Sequence, residues 1–331
     1  MSNRFDNKKL LYLFTGLVVI LILTIFIRIP KEKATLKSKL VEFDTLEVSK
    51  IILYPKYGKD KLIEFNRNNG KWSVQQGNII CAPQKGSVQN IFSEVLSLKP
   101  ERLAAISKSK WKEFELTDSL GTRIKILNKK DKAIADLMIG KFSYKQVSNP
   151  YGGYGGSNNV QGTTFVRLYN EKEVYAVEGF LSFFFSGKFD DWRDKTFITS
   201  KKDDILNISF NYPADSSYLL TRKDSKWNTG NILADSVNVS TFLTTITSMD
   251  GEEIKNNFKP VINPVYQLLI EGNNLLHISV KCYKEENSDI YILNSSLNPD
   301  VYFSSKKDGL LARVFKPRSY FIKNITIGNH K

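Results

Sequence analysis

From Val48 onward, apolar and polar residues alternate in short runs broken by Gly, Asn and Asp, which is the period of half-buried β-strands. "VSKIILYPKYGKDKLIEFNRNNGKWSV" (48–74) predicts three such strands joined by polar turns. The period then changes. Val88, Ile91, Phe92, Val95 and Leu96 recur at i, i+3, i+4, i+7 and i+8, so one amphipathic helix is expected, with Ser87 as its N-cap. Alternation returns in "GTRIKILNKKDKAIADLMIG" (121–140), a hairpin, and in "TTFVRLYNEKEVYAVEG" (163–179), a second strand pair.

The same succession occurs twice. "ILNISFNYPADSSYLLTRKDSKWNT" (205–229) repeats the Tyr-Pro strand end (Tyr54-Pro55, Tyr212-Pro213) and the Lys-Trp strand start (Lys71-Trp72, Lys226-Trp227). Val239, Phe242, Leu243 and Ile246 repeat the helical face, with Ser236 or Ser240 as candidate cap. A hairpin about Gly272-Asn273-Asn274 and a strand pair over 288–305 follow. "FDDWRDKTFI" and "FKPRSYFI" read as matching tails, pairing Arg193 with Arg318, Phe197 with Phe321 and Ile198 with Ile322. The expected fold class is α+β: two tandem, internally repeated domains of antiparallel sheet with packed helices, over 45–200 and 201–331. Trp72 and Trp227 are expected to pack on their sheets.

Ahead of the repeats, Leu10 to Ile27 is an unbroken uncharged apolar run. As a helix it would be about 27 Å long, close to bilayer hydrocarbon thickness. It carries no polar face and no small-residue cleavage site follows, so an uncleaved transmembrane anchor is expected over 10–29, with a short tail at 1–9 and a basic linker at 30–44. Arg28, Lys31, Lys33, Lys37 and Lys39 outnumber Arg4, Lys8 and Lys9, so simple charge counting would leave the large C-terminal part in the cytoplasm. Of the net charge of +14, residues 1–40 carry +6 and the rest is spread diffusely over the remainder. Such charge suits solubility or an anionic surface. Cys81 and Cys282 are too few for a disulfide framework and read as two buried thiols rather than a bridge.

Little in the chain announces chemistry. "NPYGGYGGSNNVQGTT" (149–164) is rich in glycine, yet no Lys-Ser or Lys-Thr follows, as a phosphate-binding loop requires, and a strand pattern comes next rather than a helix. The second copy has only "KEEN" there, so 149–162 is an insertion. Tyr144, Tyr151, Gly152, Gly153, Tyr154, Gly155 and Gly156 form a candidate interaction loop, set against a loop extension without a task. Asp190, Asp191 and Asp194 could serve a hydrolase or a metal, but the second copy keeps none of them. His277 and His330 lie apart from any cysteine, and the basic residues form no nucleic-acid-binding pattern. No catalytic, cofactor or metal residue is assigned, and no nucleic-acid partner is expected.

Gly70-Lys71-Trp72, Ile139-Gly140, Val174-Tyr175-Ala176-Val177 and Arg193-Asp194-Lys195 together resemble the bacterial domain of unknown function 4340 family. Ala82-Pro83 departs from the family's Ala-Asp loop, whereas Ala234-Asp235 in the second copy fits it. Trp72, Trp227, Gly140, Arg193 and Arg318 are then structural positions of the pattern. Proteins of this type are often encoded near gliding-motility-type ABC transporter components. The resemblance implies an exported, non-enzymatic accessory subunit on the inner membrane, with a protein partner in the cell envelope. A module for an anionic envelope ligand, glycan or lipid headgroup, is the alternative; a hydrolase ranks last.

Overall fold

A computed structural model describes residues 12, 14–19, 36–56, 62–147 and 159–323. Of the expected anchor only Tyr12 and residues 14–19 fall among these, and they are helical. No helix among the described residues is long and apolar enough to cross a membrane. Two compact units divide the chain between Phe189 and Asp190.

In the first unit the strands are β1 (Val48–Tyr54), β2 (Ile63–Asn68), β3 (Lys71–Gln76) and β4 (Ile79–Cys81), then β5 (Pro100–Ala105) and β6 (Thr122–Asn128). β7 (Ala133–Val147), β8 (Asn159–Leu168) and β9 (Val174–Glu178) complete them. Helix α1 (Ser87–Leu96) lies between β4 and β5, and the short α2 (Leu181–Phe184) follows β9. All nine strands form one antiparallel sheet in the order β4-β3-β2-β1-β6-β7-β8-β9-β5. Helix α1 therefore connects the two edge strands.

The second unit opens with β10 (Thr196–Thr199), followed by β11 (Ile205–Asn211), β12 (Tyr218–Lys223), β13 (Lys226–Thr229) and β14 (Ile232–Leu233). Helix α3 (Ser236–Ile246) leads to β15 (Ser248–Asp250), β16 (Glu253–Ile254), β17 (Tyr266–Gly272) and β18 (Ile278–Lys284). β19 (Tyr291–Ser295), β20 (Asn298–Ser305) and helix α4 (Leu310–Val314) finish it. Its large sheet runs β14-β13-β12-β11-β17-β18-β19-β20-β16, the same order element for element. Alternate residues build one core: Ile208 and Phe210 of β11, Leu268 and Ile270 of β17, Val280 and Cys282 of β18 meet Val239, Phe242, Leu243 and Ile246 of α3.

Local chemistry accounts for the turns and caps. The β2–β3 and β12–β13 hairpins turn on Asn69-Gly70 and Asp224-Ser225, four residues with positive φ. That pair of left-handed residues suits the right-handed twist of the flanking strands. The expected serine caps are displaced by one residue. Asp235 caps α3, its Oδ1 accepting from the amides of Val237 and Asn238 at 2.9 Å each, because a carboxylate suits the positive end of a helix better than a hydroxyl. Gly86, at φ 80°, precedes α1, and Ser87 and Ser236 are the first helical residues.

The expected matching of the two tails is not what forms. Thr196–Thr199 pairs with β15, and Phe197 and Ile198 sit in the second core. This segment opens the second unit, as Leu40 and Val41 open the first: the Leu40 amide donates to the carbonyl of Leu98 just after α1, and the Ser200 amide to that of Thr247 just after α3. The boundary expected at residue 200 thus falls about ten residues earlier. Arg193 and Arg318 also have different tasks. Arg193 bonds Asp190 at 3.0 Å and the side chain of Asn256 at 2.6 Å, whereas Arg318 bonds Thr229 at the end of β13.

On the first sheet, the connection 106–121 covers a small apolar cluster of Leu116, Met138, Phe165, Val174 and Ala176, with Trp111, Phe114 and Tyr169 packed against it. Beneath it lies Arg167, 2% exposed. Its guanidinium carbon stands 3.7 Å from the Trp111 ring centroid, and it donates to the carbonyls of Leu116, Leu168 and Tyr169. Arg123 stacks on the other partner, Tyr169, at 3.3 Å and pairs bidentately with Asp136. Carbonyls and ring faces replace water around a cation that burial disfavours, which lowers its pKa. Arg167→Lys, losing the planar fork, is expected to cost about 2–4 kcal/mol in urea unfolding; a loss within about 0.5 kcal/mol would mean that the stacking carries nothing.

Gly140 marks a bulge in β7. A Cβ there would lie 2.1 Å from the carbonyl oxygen of Phe114, whose own acceptor role is filled by the amide of Lys141. Gly140→Ala must push that connection away and is expected to lower stability by about 1–3 kcal/mol by the same measurement.

Candidate functional site

Beyond the Gly140 bulge, β7 and β8 continue as an arm, with Phe142 opposite Thr164 and Val147 opposite Asn159. β18, its counterpart, ends at Lys284 without such an extension. The arm presents rings to solvent. Tyr144 is 68% exposed, and Phe180 and Phe183, beside α2, are 40% and 57% exposed. Phe142 gathers them, its ring centroid 4.3 Å from that of Phe183, 6.2 Å from Phe180 and 6.4 Å from Tyr144. Gly162 allows this closeness, since a Cβ there would meet the Phe180 ring at 2.6 Å. Of the candidate loop, Tyr144 belongs to this cluster; Tyr151, Gly152, Gly153, Tyr154, Gly155 and Gly156 lie outside the described residues. Phe180 and Phe183 were not singled out in the sequence, although "GFLSFFF" is an unusual density of aromatic residues.

A second feature belongs to the second unit. A groove of about 510 Å³ opens between the β12–β13 hairpin and the first turns of α3. Trp227 forms one wall, and Leu233, Val239 and Leu243 make an apolar floor. Four cations stand around it, Lys202, Arg222, Lys226 and Lys323, against Asp203 and Asp235. The two carboxylates leave a net charge of about +2 around the groove. Asp235 is committed to the helix amides, and the Asp203 side chain is 97% exposed and 3.9 Å from Arg222. Trp227, expected to pack on its sheet, does so while remaining half-buried. The cationic rim was not legible, because its members come from three separate stretches of chain.

Other candidate positions are occupied by neighbours of their own. Trp72 packs edge-on to Phe92, with centroids 6.1 Å apart. Asp190 meets Arg193, Asp191 lies 3.4 Å from Lys195, and Asp194 accepts from the amide of Thr196. Among the described residues no three acidic, histidine or cysteine side chains converge as a metal site would need. His277 precedes β18, exposed and 3.7 Å from Glu271; His330 lies outside the described residues. Both cysteines are thiols, Cys81 half-buried and Cys282 fully buried.

Two antiparallel-sheet units, each with a helix set between its edge strands, define the class: a tandem α+β architecture. The family model described as Domain of unknown function (DUF4340) matches residues 72–257, from β3 of the first unit to just past β16 of the second, and the chain belongs to that family. No curated protein and no solved structure matches the chain.

Burial pushes the Cys282 thiol up to about 12. The unfolded thiol ionises near 9, so the folded chain holds its proton longer, and the stability from this group is full below about pH 9 and lost as pH rises toward 12. Iodoacetamide at pH 8 is expected to modify Cys81 in the native protein and Cys282 only after denaturation, as read by peptide mass spectrometry. Equal native labelling of both would contradict that burial.

Proposed function

We propose that this chain is a non-enzymatic, membrane-anchored binding protein of the bacterial cell envelope, with residues 10–29 in the inner membrane and the two repeated units on the extracytoplasmic side. One observation supports it most: the exposed rings of Tyr144, Phe180 and Phe183 clustered about half-buried Phe142 at the base of the arm. Clustered exposed rings lose water-contacting area when a partner covers them, and aromatic side chains dominate the energetic centres of protein interfaces. The segment 148–158, which follows β7 in the sequence and precedes β8, is rich in Tyr and Gly, a composition that suits adaptable contact. The uncharged run Leu10–Ile27 supplies the tether, and a tether raises the local concentration of any membrane partner. An ABC-transporter-associated complex is the partner class implied by the family resemblance.

The test is a detergent pull-down from native membranes using the full chain. The protein is expected to stay with membranes in alkaline carbonate and to retain a defined protein partner. Phe180→Ser with Phe183→Ser should reduce recovery of that partner at least tenfold while the thermal unfolding midpoint stays within a few degrees. Release by carbonate would overturn the anchor; undiminished recovery with both serines in place would overturn the arm as the contact.

A further inference from the structure

The geometry points to the groove beside Trp227 as a binding site for a small phosphorylated molecule with a ring or apolar body. Comparison of the two units carries it. Both place a tryptophan at the start of the third strand, directly across from an arginine of the second: Trp72 opposite Arg67, Trp227 opposite Arg222. Both arginines tie down the segment that leads into the unit's first strand, Arg67 through the carbonyls of Thr45 and Leu46 and Arg222 through that of Asp203. The frame is therefore the same.

The filling differs. In the first unit Phe92 of α1 packs edge-on to Trp72, and Phe43 of the lead-in packs edge-on to Phe92 at 6.0 Å, so aromatic side chains occupy the space. On α3 the helical spacing Val239, Phe242, Leu243, Ile246 repeats Val88, Ile91, Phe92, Val95, which puts Leu243 where Phe92 stands. The second lead-in reads Thr199-Ser200-Lys201-Lys202, with no aromatic residue to play the part of Phe43. A leucine for a phenylalanine and a missing second ring leave the groove of about 510 Å³, within the size range of small-molecule pockets.

Its chemistry then selects the ligand. Trp227, Val239 and Leu243 offer a face that would shed water against a ring or short apolar body. Lys202, Arg222, Lys226 and Lys323 attract an anion, and a compact doubly charged phosphoryl group uses several such cations at once where a carboxylate satisfies fewer. The α3 N-terminus is not the anion site, because Asp235 already occupies its amides. The phosphoryl group could belong to a soluble metabolite or to a lipid headgroup; the chemistry recognised is shared. This site rests on the second unit alone and does not depend on the membrane reading above.

Phenyl phosphate supplies both halves of that chemistry and is the probe. Isothermal titration of the full chain in detergent is expected to show phenyl phosphate binding at least tenfold tighter than inorganic phosphate or benzoate, weakening as salt rises. Two variants locate the site. Leu243→Phe, which restores the filling of the first unit, should abolish binding, and Lys226→Glu with Lys323→Glu, both exposed, should weaken it at least tenfold without moving the unfolding midpoint. Vesicles of phosphatidic acid in phosphatidylcholine, compared with phosphatidylcholine alone, separate the sources. Retention that phenyl phosphate competes away and Leu243→Phe removes assigns a headgroup, and binding of the soluble probe without such retention assigns a metabolite. No binding of either probe, or binding unchanged in the charge-reversed variant, overturns the site. Undiminished partner recovery by the Phe180→Ser, Phe183→Ser chain with groove binding intact would sink the arm and leave the groove standing.

Discussion

A wide antiparallel sheet has to hide one face, and in each unit a single helix of about three turns is placed to do it. Flat, nine strands would separate the edge strands by about 38 Å, while the helix is only about 15 Å long. The connection from β4 to β5, like that from β14 to β15 and β16, must therefore run over the sheet instead of around it. Its apolar stripe becomes the centre of the core, and in the second unit Val239, Phe242, Leu243 and Ile246 meet side chains from β11 through β20. Everything else is arranged about that crossing: the hairpins on left-handed turns, the cap at Asp235, and the lead-in segments bonded just beyond the far end of the helix.

Once the crossing is fixed, the parts away from it are free to diverge. The Tyr-Pro strand ends illustrate this. The Tyr54 ring lies near the Arg123 guanidinium, at 5.2 Å, whereas Tyr212 donates its phenol to the carbonyl of Lys316, which also receives Tyr218. One unit has grown an arm from its central hairpin, and the other has emptied the space beside its tryptophan. Both changes sit where the core does not constrain them, and both expose ring surface to solvent. A duplicated scaffold of this kind keeps its stability in the shared sheets and places its divergence in loops and grooves.

Much of the fold was legible in the chain itself. Period-two runs located the strands, the i, i+3, i+4, i+7 stripes located α1 and α3, and Tyr-Pro, Lys-Trp and the helical faces disclosed two copies of one order. The tails misled, because "FDDWRDKTFI" and "FKPRSYFI" share letters but not neighbours; Phe197 pairs into the second unit with β15, and strand pairing leaves no mark in a tail's own composition. Arg167 was equally hidden, since an arginine in an alternating strand reads as the solvent face until the connection 106–121 is laid over it.

The candidate sites divide the same way. Sequence alone set the glycine insertion, the apolar N-terminal run and the recurrence of Trp72 and Trp227, since these are local properties of composition and spacing. Only the tertiary structure gathered Phe142 with Phe180 and Phe183, or Lys202 with Lys226 and Lys323. A binding surface is a convergence of distant segments, and convergence is decided by which strands pair and how the helix crosses them, by long-range contacts whose loop-closure entropy no short window of residues records.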